Sequence, residues 1–340
     1  MRLGTNLEYA GDPRQAAARA IALEQAGVDV VWVSEAYGFD SPTLLGYLAA
    51  QTTTVQLGSS ILSIYSRTPT LIAQTAAGLD AVSGGRALLG LGASGPQVVE
   101  GWHGQAFDRP LARTREIVEI CRAAWRRDVI RHDGIFTIPK VEGVQVPPRP
   151  LKMLTHPVRD SIPIFLAALG DRNVALAAEI ADGWIPYFFA PDHAKAAWGD
   201  ALAEGAERRD PALAPLDVVA SAPLAVTDDP SALDLARPKM ALYIGGMGAK
   251  GRNFYHDVAV RYGFGAAADA VQDAYLDGRK SEAEALLPHE LLRACSLIGP
   301  RAWIRERVAA YRDAGVGVLN VVPIGPGGLD DVRYVRECVG

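Results

Sequence analysis

Short apolar runs alternate with alanine-rich runs of helical periodicity along the first half of the chain. The apolar runs predict strands at residues 2–7, 28–33, 55–59 and 86–92, and the periodic runs predict helices at 13–26, 41–50, 69–82 and 111–126. Pro13 and Pro69 suit the first turn of a helix. This alternation predicts parallel strands connected by helices.

The same rhythm returns later in the chain. Residues 129–138 suggest a hairpin and residues 147–150 a proline-rich connector, after which strands are predicted at 162–168, 183–185, 218–226 and 316–322. Eight strand–helix pairs predict a single domain over 1–340 with the closed TIM (β/α)8 barrel fold, an α/β architecture.

The segment at about 240–290 breaks this rhythm and is interpreted as an insertion over the barrel mouth. Active sites of such barrels lie on the loops that follow the carboxyl ends of the strands. The residues after each predicted strand are therefore the candidates for function.

Composition and charge narrow the classes of protein to which the chain can belong. The 340 residues are 49% hydrophobic, with a net charge of -5 and no basic stripe, which argues against nucleic acid as a partner. No apolar run reaches the roughly 20 residues of a membrane span, and the first residues show no signal-peptide pattern, so a cytoplasmic protein is expected. Cys121, Cys295 and Cys338 form no C-x-x-C pair, and the histidines show no zinc-ligand spacing, so no metal is expected.

The run Gly90-Leu91-Gly92-Ala93-Ser94-Gly95 matches the dinucleotide fingerprint G-x-G-x-x-G. It follows the fourth strand rather than the first, and Pro96 and Trp102-His103-Gly104 stand where the crossover helix should run. A glycine-rich floor that lets a flat ring approach the backbone is the preferred interpretation. The same run is one residue short of G-x-S-x-G, the nucleophile-elbow motif of α/β-hydrolases. A hydrolase is therefore a weaker alternative.

Small residues mark the turn from the fifth strand into its helix, in the run Ala168-Leu169-Gly170-Asp171-Arg172-Asn173. Free N–H groups at a helix start and the positive end of its dipole bind anions, and Arg172 would add a charge. A phosphate site is one interpretation of this run. A plain N-terminal cap by Asp171 is the other, and the sequence leaves both open.

Glu35 is the first carboxylate after the second strand and should point into the barrel mouth. An acid placed there can orient a ring or move a proton. A structural ion pair or a helix cap explains such a residue equally well.

Several motifs together resemble one family. They are Gly58-Ser59-Ser60-Ile61, Arg67-Thr68-Pro69, Ala181-Asp182-Gly183-Trp184 and Gly245-Gly246-Met247-Gly248, with the glycine-rich run at 90–95. This combination is similar to the F420-dependent branch of the luciferase-like flavin and deazaflavin oxidoreductases, which includes methylenetetrahydromethanopterin reductase. The likeness extends over nearly the whole chain.

The resemblance implies coenzyme F420, with its deazaflavin ring in the mouth and its phosphate on residues 168–173. The cofactor-binding residues would be Asn6, Glu35, Ser60, Ile61, Gly92, Ser94, Gly95, Ala168, Gly170, Asp171, Arg172, Asn173 and Trp184, with Glu35 also catalytic. Relatives carry a non-proline cis peptide at the position of Ser60-Ile61. Four apolar residues near the mouth either shield the ring or belong to the core: Ile61, Tyr65, Trp102 and Trp184.

The family's sugar-phosphate dehydrogenases carry an Asp-His pair where this chain has Glu35-Ala36. Reduction of a C=C or C=N bond therefore fits better than oxidation of glucose 6-phosphate. The resemblance also implies a homodimer acting on a small molecule. An FMN-dependent monooxygenase and a non-catalytic ligand-binding barrel remain alternatives, and the identity of the cofactor separates all three.

Overall fold

A computed structural model describes residues 1–7 and 11–340. Its strands are β1 (Arg2–Leu7), β2 (Val30–Val33), β3 (Gln56–Ser59), β4 (Leu62–Ser63), β5 (Ala87–Gly92), β6 (Ile164–Ala167), β7 (Gly183–Ile185), β8 (Asp217–Val226), β9 (Leu297–Gly299) and β10 (Val316–Pro323).

Helices follow most of these strands. They are α1 (Pro13–Gln25), α2 (Ser41–Gln51), α3 (Pro69–Ser83), α4 (Pro96–Gly101), α5 (Pro110–Trp125), α6 (Asp171–Ile180), α7 (Pro191–Glu207), α8 (Arg237–Ala241), α9 (Phe254–Arg261), α10 (Gly265–Leu276), α11 (Lys280–Ala285), α12 (His289–Ala294), α13 (Arg301–Asp313) and α14 (Leu329–Val339). None of the helices described is both long and apolar enough to cross a membrane.

Eight parallel strands close into a barrel in the order β10, β1, β2, β3, β5, β6, β7, β8, with β8 pairing back to β10. The predicted TIM barrel is therefore confirmed. The eight predicted strands are the eight that close it, and their ends agree to within two residues. Two short strands were missed: β4 pairs with the carboxyl end of β5, and β9 pairs with the carboxyl end of β8.

Side chains alternate between the inside of the barrel and the helical layer because successive residues of a strand point to opposite faces. A small inner cluster contains Trp32, Phe165 and Val318, while Val31 and Leu166 belong to the larger core beneath the helices. Trp32 meets Phe165 edge to face across the barrel, with ring centroids 5.1 Å apart. Gly58 of β3 leaves room for the Trp32 ring, because a β-carbon there would overlap it.

Two local predictions were wrong. The hairpin at 129–138 is a single antiparallel bridge, in which His132 and Ile138 exchange backbone hydrogen bonds of 2.8 and 2.9 Å. A cis bond joins Ile138 to Pro139, and proline has no N–H with which to continue the ladder. A helix does begin at Pro96, although it spans only six residues. The fixed φ of proline suits a first helical position.

The chain between β8 and β9, which includes the residues interpreted from sequence as an insertion, is largely helical. The end of its helix α9 contacts the start of α6 and the segment that follows β7. Arg261 pairs with Asp171 at 2.7 Å, and the Tyr262 hydroxyl donates to the Phe188 carbonyl at 2.8 Å. The same hydroxyl accepts the Ala190 N–H at 3.2 Å. Because both of these contacts follow strand ends, the helical segment lies beside the barrel mouth.

Candidate active site

All barrel strands are parallel, so their carboxyl ends share one rim, and the loops that follow them form the mouth. Most residues predicted from sequence lie at the carboxyl ends of β1 and β5 or in the segments that follow β2, β3, β5 and β6, whereas Trp184 lies within β7. The barrel closure brings these loops together because β1, β2, β3, β5 and β6 are neighbours in that order.

The chain between β3 and β4 contains the predicted cis peptide bond at Ser60-Ile61, which is confirmed. The Ile61 side chain lies over Gly92 at the end of β5. A β-carbon added at Gly92 would stand 2.9 Å from Ile61 Cδ1. Gly92 is therefore buried beneath Ile61 and does not offer an open floor to a ring, which corrects the expected contact. Gly95 does have open space around the position of a side chain.

Ser94 occupies a left-handed backbone conformation, with φ of 59°. A residue with a side chain rarely adopts this conformation, and such outliers concentrate at functional sites. Gly95 follows with an extended backbone and leads into α4. The segment after β5 thus presents a half-buried serine and an open glycine to the mouth.

Glu35 forms a bidentate ion pair with Arg67. The distances are 2.6 Å from Oε1 to Nη1 and 2.9 Å from Oε2 to Nη2. Oε2 also accepts the Ser41 backbone N–H at 2.8 Å, at the start of α2. The side chains of Glu35 and Arg67 are only 8% and 14% exposed. Both carboxylate oxygens are therefore engaged, which suits holding the loops after β2 and β4 together.

Asn6 lies at the end of β1, and its Nδ2 donates to Ser34 Oγ at 3.0 Å. Its Oδ1 is buried and has no hydrogen-bond partner among the described residues. Such an unpaired acceptor is unusual, because buried polar atoms are almost always paired.

The predicted phosphate site is the start of α6. Gly170 is the N-cap residue and offers no side chain to cap the helix, so the first N–H groups of α6 have no side-chain partner. The space at Gly170 is open, since the nearest atom to an added β-carbon is Phe254 Cε1 at 3.9 Å. Asp171 is in the first turn and pairs with Arg261, so it is not the cap. The helix start therefore retains free donors for an anion.

Two buried indoles hold this segment from behind. Trp184 Nε1 donates to the Ala168 carbonyl and Trp198 Nε1 to the Leu169 carbonyl, each at 2.9 Å. Trp184 is fully buried and belongs to the core beneath the helices. The expected contact between Trp184 and the cofactor is therefore corrected: Trp184 supports the segment and does not line the mouth.

Arg172 and Asn173, the other residues predicted to bind the phosphate, do not offer it a free side-chain charge or a free first-turn N–H. Arg172 lines a groove between α5, α6 and α7, beside Arg115 and Arg208. The Asn173 N–H bonds to the Gly170 carbonyl at 3.0 Å within the first turn. A direct charge from Arg172 at the helix start would thus require its side chain to turn away from that groove.

Two other aromatic residues predicted near the mouth differ in exposure. Tyr65 is buried and its hydroxyl donates to the Asp108 carbonyl at 2.8 Å, whereas Trp102 is 64% exposed. Sequence reasoning missed a cluster that joins the loop after β7 to the helical segment: Tyr187 stacks on Tyr243 at 4.5 Å, and Tyr255 meets both edge to face. The sole hint in the sequence is that Tyr243 precedes the Gly-Gly-Met-Gly run.

Two of the three cysteines do not supply a nucleophile. Cys121 and Cys295 are buried. Burial raises the pKa of the Cys295 thiol to about 12 and that of Cys121 further still. Both remain protonated at neutral pH, and a thiol attacks only as its thiolate. Within residues 1–7 and 11–340, no three His, Cys, Asp or Glu side chains gather as a metal site.

A family model described as luciferase-like monooxygenase matches residues 1–317. A predicted coenzyme F420-dependent oxidoreductase of Mycobacterium tuberculosis is 41% identical, over all of this chain and 99% of its own length. The 5,10-methylenetetrahydromethanopterin reductase of Archaeoglobus fulgidus is 30% identical, over 92% and 91%. The solved tetrahydromethanopterin reductase of Methanopyrus kandleri has the same fold, with a TM-score of 0.82, 22% identity and coverage of 99% and 98%.

Proposed function

Because this chain belongs to the luciferase-like monooxygenase family, we propose that it is an oxidoreductase that uses coenzyme F420 to transfer a hydride to or from a small organic substrate. The observation that carries the proposal is the full-length identity of 41% to a relative with that cofactor in its name. The geometry of the mouth supports the proposal, because the uncapped start of α6, after β6, and the Ser94-Gly95 segment, after β5, follow neighbouring strands.

The residues fit such a cofactor at three places. The uncapped start of α6 at Gly170 would hold the phosphate. The Ser60-Ile61 peptide, after β3, and the Ser94-Gly95 segment, after the adjoining strand β5, would flank the ring. The unpaired Oδ1 of Asn6 would accept a hydrogen bond from it.

The cofactor supplies the hydride, and the protein orients both partners and excludes water. Glu35 and Arg67 fix two of the loops that form the mouth, which makes Glu35 a positioning residue in this proposal. Its role as a proton carrier is disfavoured because Arg67 and the Ser41 N–H already engage both oxygens.

Reduction of a C=C or C=N bond is the favoured reaction. Oxidation of an alcohol needs a base to remove the hydroxyl proton, and histidine is the usual one. Ala36 stands where the related sugar-phosphate dehydrogenases carry that histidine. A homodimer is also part of the proposal, and sedimentation equilibrium tests it directly.

Parallel titrations of the purified protein with F420 and FMN test the cofactor. We expect F420 to saturate the protein and FMN to bind at least about tenfold more weakly, which corresponds to about 1.4 kcal/mol. Reduced F420 should then be reoxidised by cyclic enones or imines, without oxygen. Tighter binding of FMN, together with oxygen consumption by the reduced complex, would establish the monooxygenase alternative. Binding of neither cofactor would favour a non-catalytic barrel.

A further inference from the structure

Four aromatic side chains meet where the loop after β7 faces the helical segment between β8 and β9. They are Tyr187, Phe188, Tyr243 and Tyr255, which together form the aromatic cluster. The rings of Tyr187 and Tyr243 are stacked, with centroids 4.5 Å apart. All four side chains are half-buried. Partly exposed aromatic rings are typical of ligand sites, because a ligand can bury the ring surface that solvent still contacts.

The two flanking rings stand beside the stack and not on its outer faces. The Tyr255 centroid lies 5.3 Å from that of Tyr187 and 4.8 Å from that of Tyr243. The Phe188 centroid lies 4.7 Å and 5.9 Å from the same two rings. A ring on an outer face would lie farther from the second tyrosine than from the first by about the stacking distance of 4.5 Å. The flanking rings therefore form side walls, and they leave the flat outer faces of the stack uncovered.

A π-helical turn presents Tyr243 to the cluster. The turn comprises Leu242–Gly246 and follows α8 directly. Its two glycines pack against Tyr275, whose side chain a β-carbon at either glycine would overlap. Asn253 Nδ2 donates to the Tyr243 carbonyl at 3.0 Å, which fixes the turn from the other side. π-helical turns are rare and occur frequently at functional sites.

The loop after β7 is held in an uncommon backbone conformation at Phe188. Its φ of 53° is in the left-handed region, which residues with a side chain rarely adopt. The Phe188 carbonyl accepts hydrogen bonds from the Tyr262 hydroxyl at 2.8 Å and from Cys295 Sγ at 3.5 Å. Such conformations persist only where the surroundings fix them, and they concentrate at functional sites. Uncommon backbone geometry thus occurs on both chain segments that carry the cluster.

The aromatic cluster borders the mouth of the barrel. Tyr187 comes two residues after Ile185, the last residue of β7, and therefore lies on the rim formed by the carboxyl ends of the strands. Tyr255 follows Phe254, whose Cε1 is 3.9 Å from the position of a β-carbon at Gly170. The cluster is therefore next to the start of α6, where the phosphate of the cofactor is proposed to bind.

We propose that the aromatic cluster is the substrate-binding wall of the mouth, and that it selects substrates whose reducible double bond is conjugated to a flat ring. This inference rests on the proposed function, in which F420 supplies the hydride. A flat ring can lie against an outer face of the Tyr187–Tyr243 stack in the offset arrangement that aromatic pairs favour. A saturated ring is puckered and has no π-system, so it gains only the burial of its apolar surface.

Two substrates that differ only in the ring test this selectivity. Benzylideneacetone carries a phenyl ring on its C=C bond, and the analogue carries a cyclohexyl ring at the same place. Their intrinsic reactivities differ, so the ratio of their kcat/KM values is compared between variants. Tyr243→Leu should lower the phenyl-to-cyclohexyl ratio about tenfold through a higher KM for benzylideneacetone, because the stacking surface is lost. The kcat for benzylideneacetone and the affinity for F420 should change by less than about twofold.

Matched variants separate the loss of the ring from other effects. Tyr243→Phe retains a flat ring and should retain the wild-type ratio. Tyr187→Leu removes the other ring of the stack and should lower the ratio as Tyr243→Leu does, which provides a second measurement if one variant does not fold. Tyr47→Leu is the control, because Tyr47 is on α2, is 40% exposed and is not part of the cluster.

Two kinetic results would overturn the inference. One is an unchanged ratio in both leucine variants. The other is a loss of F420 affinity with an unchanged ratio, which would assign the cluster to the cofactor.

Failure of the wild type to bind F420 would instead refute the proposed function. NMR of protein with ¹³C-labelled tyrosine rings, titrated with benzylideneacetone, decides the wall without turnover or cofactor. We expect the signals of Tyr187 and Tyr243 to shift and that of Tyr47 to stay in place. Unshifted signals of the two stacked tyrosines at saturating benzylideneacetone would refute the wall.

Discussion

The ion pair between Glu35 and Arg67 allows a quantitative prediction. The change is Glu35→Gln, which keeps the shape of the side chain and one acceptor oxygen but removes the charge. Arg67 would remain 14% exposed without its anionic partner, and one of its two hydrogen bonds to Glu35 would be lost.

The expected destabilisation follows from the burial of the pair. Removing one partner of a buried ion pair costs about 3–5 kcal/mol, and the small residual exposure here places the cost near the lower value, about 3 kcal/mol. An unfolding entropy of about 2.1 cal/mol/K per residue over 340 residues gives about 0.7 kcal/mol/K. The melting temperature should therefore fall by about 4 °C.

Scanning calorimetry measures this shift, and titration with F420 and steady-state turnover are measured on the same samples. Because Glu35 is expected to position the loops, F420 affinity should weaken while kcat falls by less than about tenfold. The double variant with Arg67→Met should be less destabilised than the sum of the single variants, since the two residues act as a pair. Asp330→Asn is the control, because the Asp330–Arg333 pair is exposed and contributes at most about 1 kcal/mol.

Two results would contradict this reasoning. An unchanged melting temperature, with additive effects in the double variant, would show that the pair has no structural role. A loss of about 10²–10⁴-fold in kcat, with stability and F420 affinity retained, would show that Glu35 carries the proton.

Three further predictions concern single positions. Gly170→Val should weaken F420 binding by more than about tenfold, or about 1.4 kcal/mol. The melting temperature should be nearly unchanged, because the added side chain enters open space. Equal affinity of the variant and the wild type in a fluorescence titration would place the phosphate elsewhere. Gly58→Ala should lower the free energy of unfolding by about 1–3 kcal/mol in denaturant titrations, because the methyl group overlaps the Trp32 ring. The control Gly46→Ala on α2 meets no atom within 4 Å and should raise it by about 0.5–1 kcal/mol. A reversed order of the two variants would contradict the packing inside the barrel. Burial alone would raise the pKa of Glu24, but hydrogen bonds from the Thr54, Val55 and Thr53 backbones hold it below its ordinary value of 4.5. A lowered pKa stabilises the fold above pH 4.5, and this stability is lost as the pH falls through the folded value. The stability difference between wild type and Glu24→Gln should therefore be constant above about pH 5.5 and shrink below pH 4.5 in urea titrations, and a difference that grew in acid would be inconsistent with the assigned cause.

Much of the fold could be predicted from sequence because local patterns report it. Apolar runs and helical periodicity located the eight barrel strands to within two residues, and Pro13 and Pro69 are first helical residues as predicted. The start of α6 could be found in the same way, because small residues at a strand–helix turn have a local physical meaning. The three-residue strand β9 was missed, since so short a segment has no detectable period.

The roles of individual side chains depended on the tertiary structure. Glu35 is equally compatible with a catalytic or a structural role until the barrel brings Arg67 to it, 32 residues further along the chain. Gly92 is interpreted from sequence as an open floor, but Ile61, which lies between β3 and β4, covers it in the structure. Neither partner can be deduced from a local pattern, because the contact crosses between strands.

The sequence also leaves open which residues of a short strand point into the barrel and which point towards the helices. β7 has three residues, too few for a period of two to show which of them point inward, so Trp184 was assigned to the mouth and is found beneath the helices. Asn320 is a single polar residue in an otherwise apolar strand. Only the closure of the barrel shows that it faces Gly4. The sequence determines the order and kind of elements through short-range periodicity, and the strand register decides which side chains meet, because it fixes contacts between residues hundreds of positions apart.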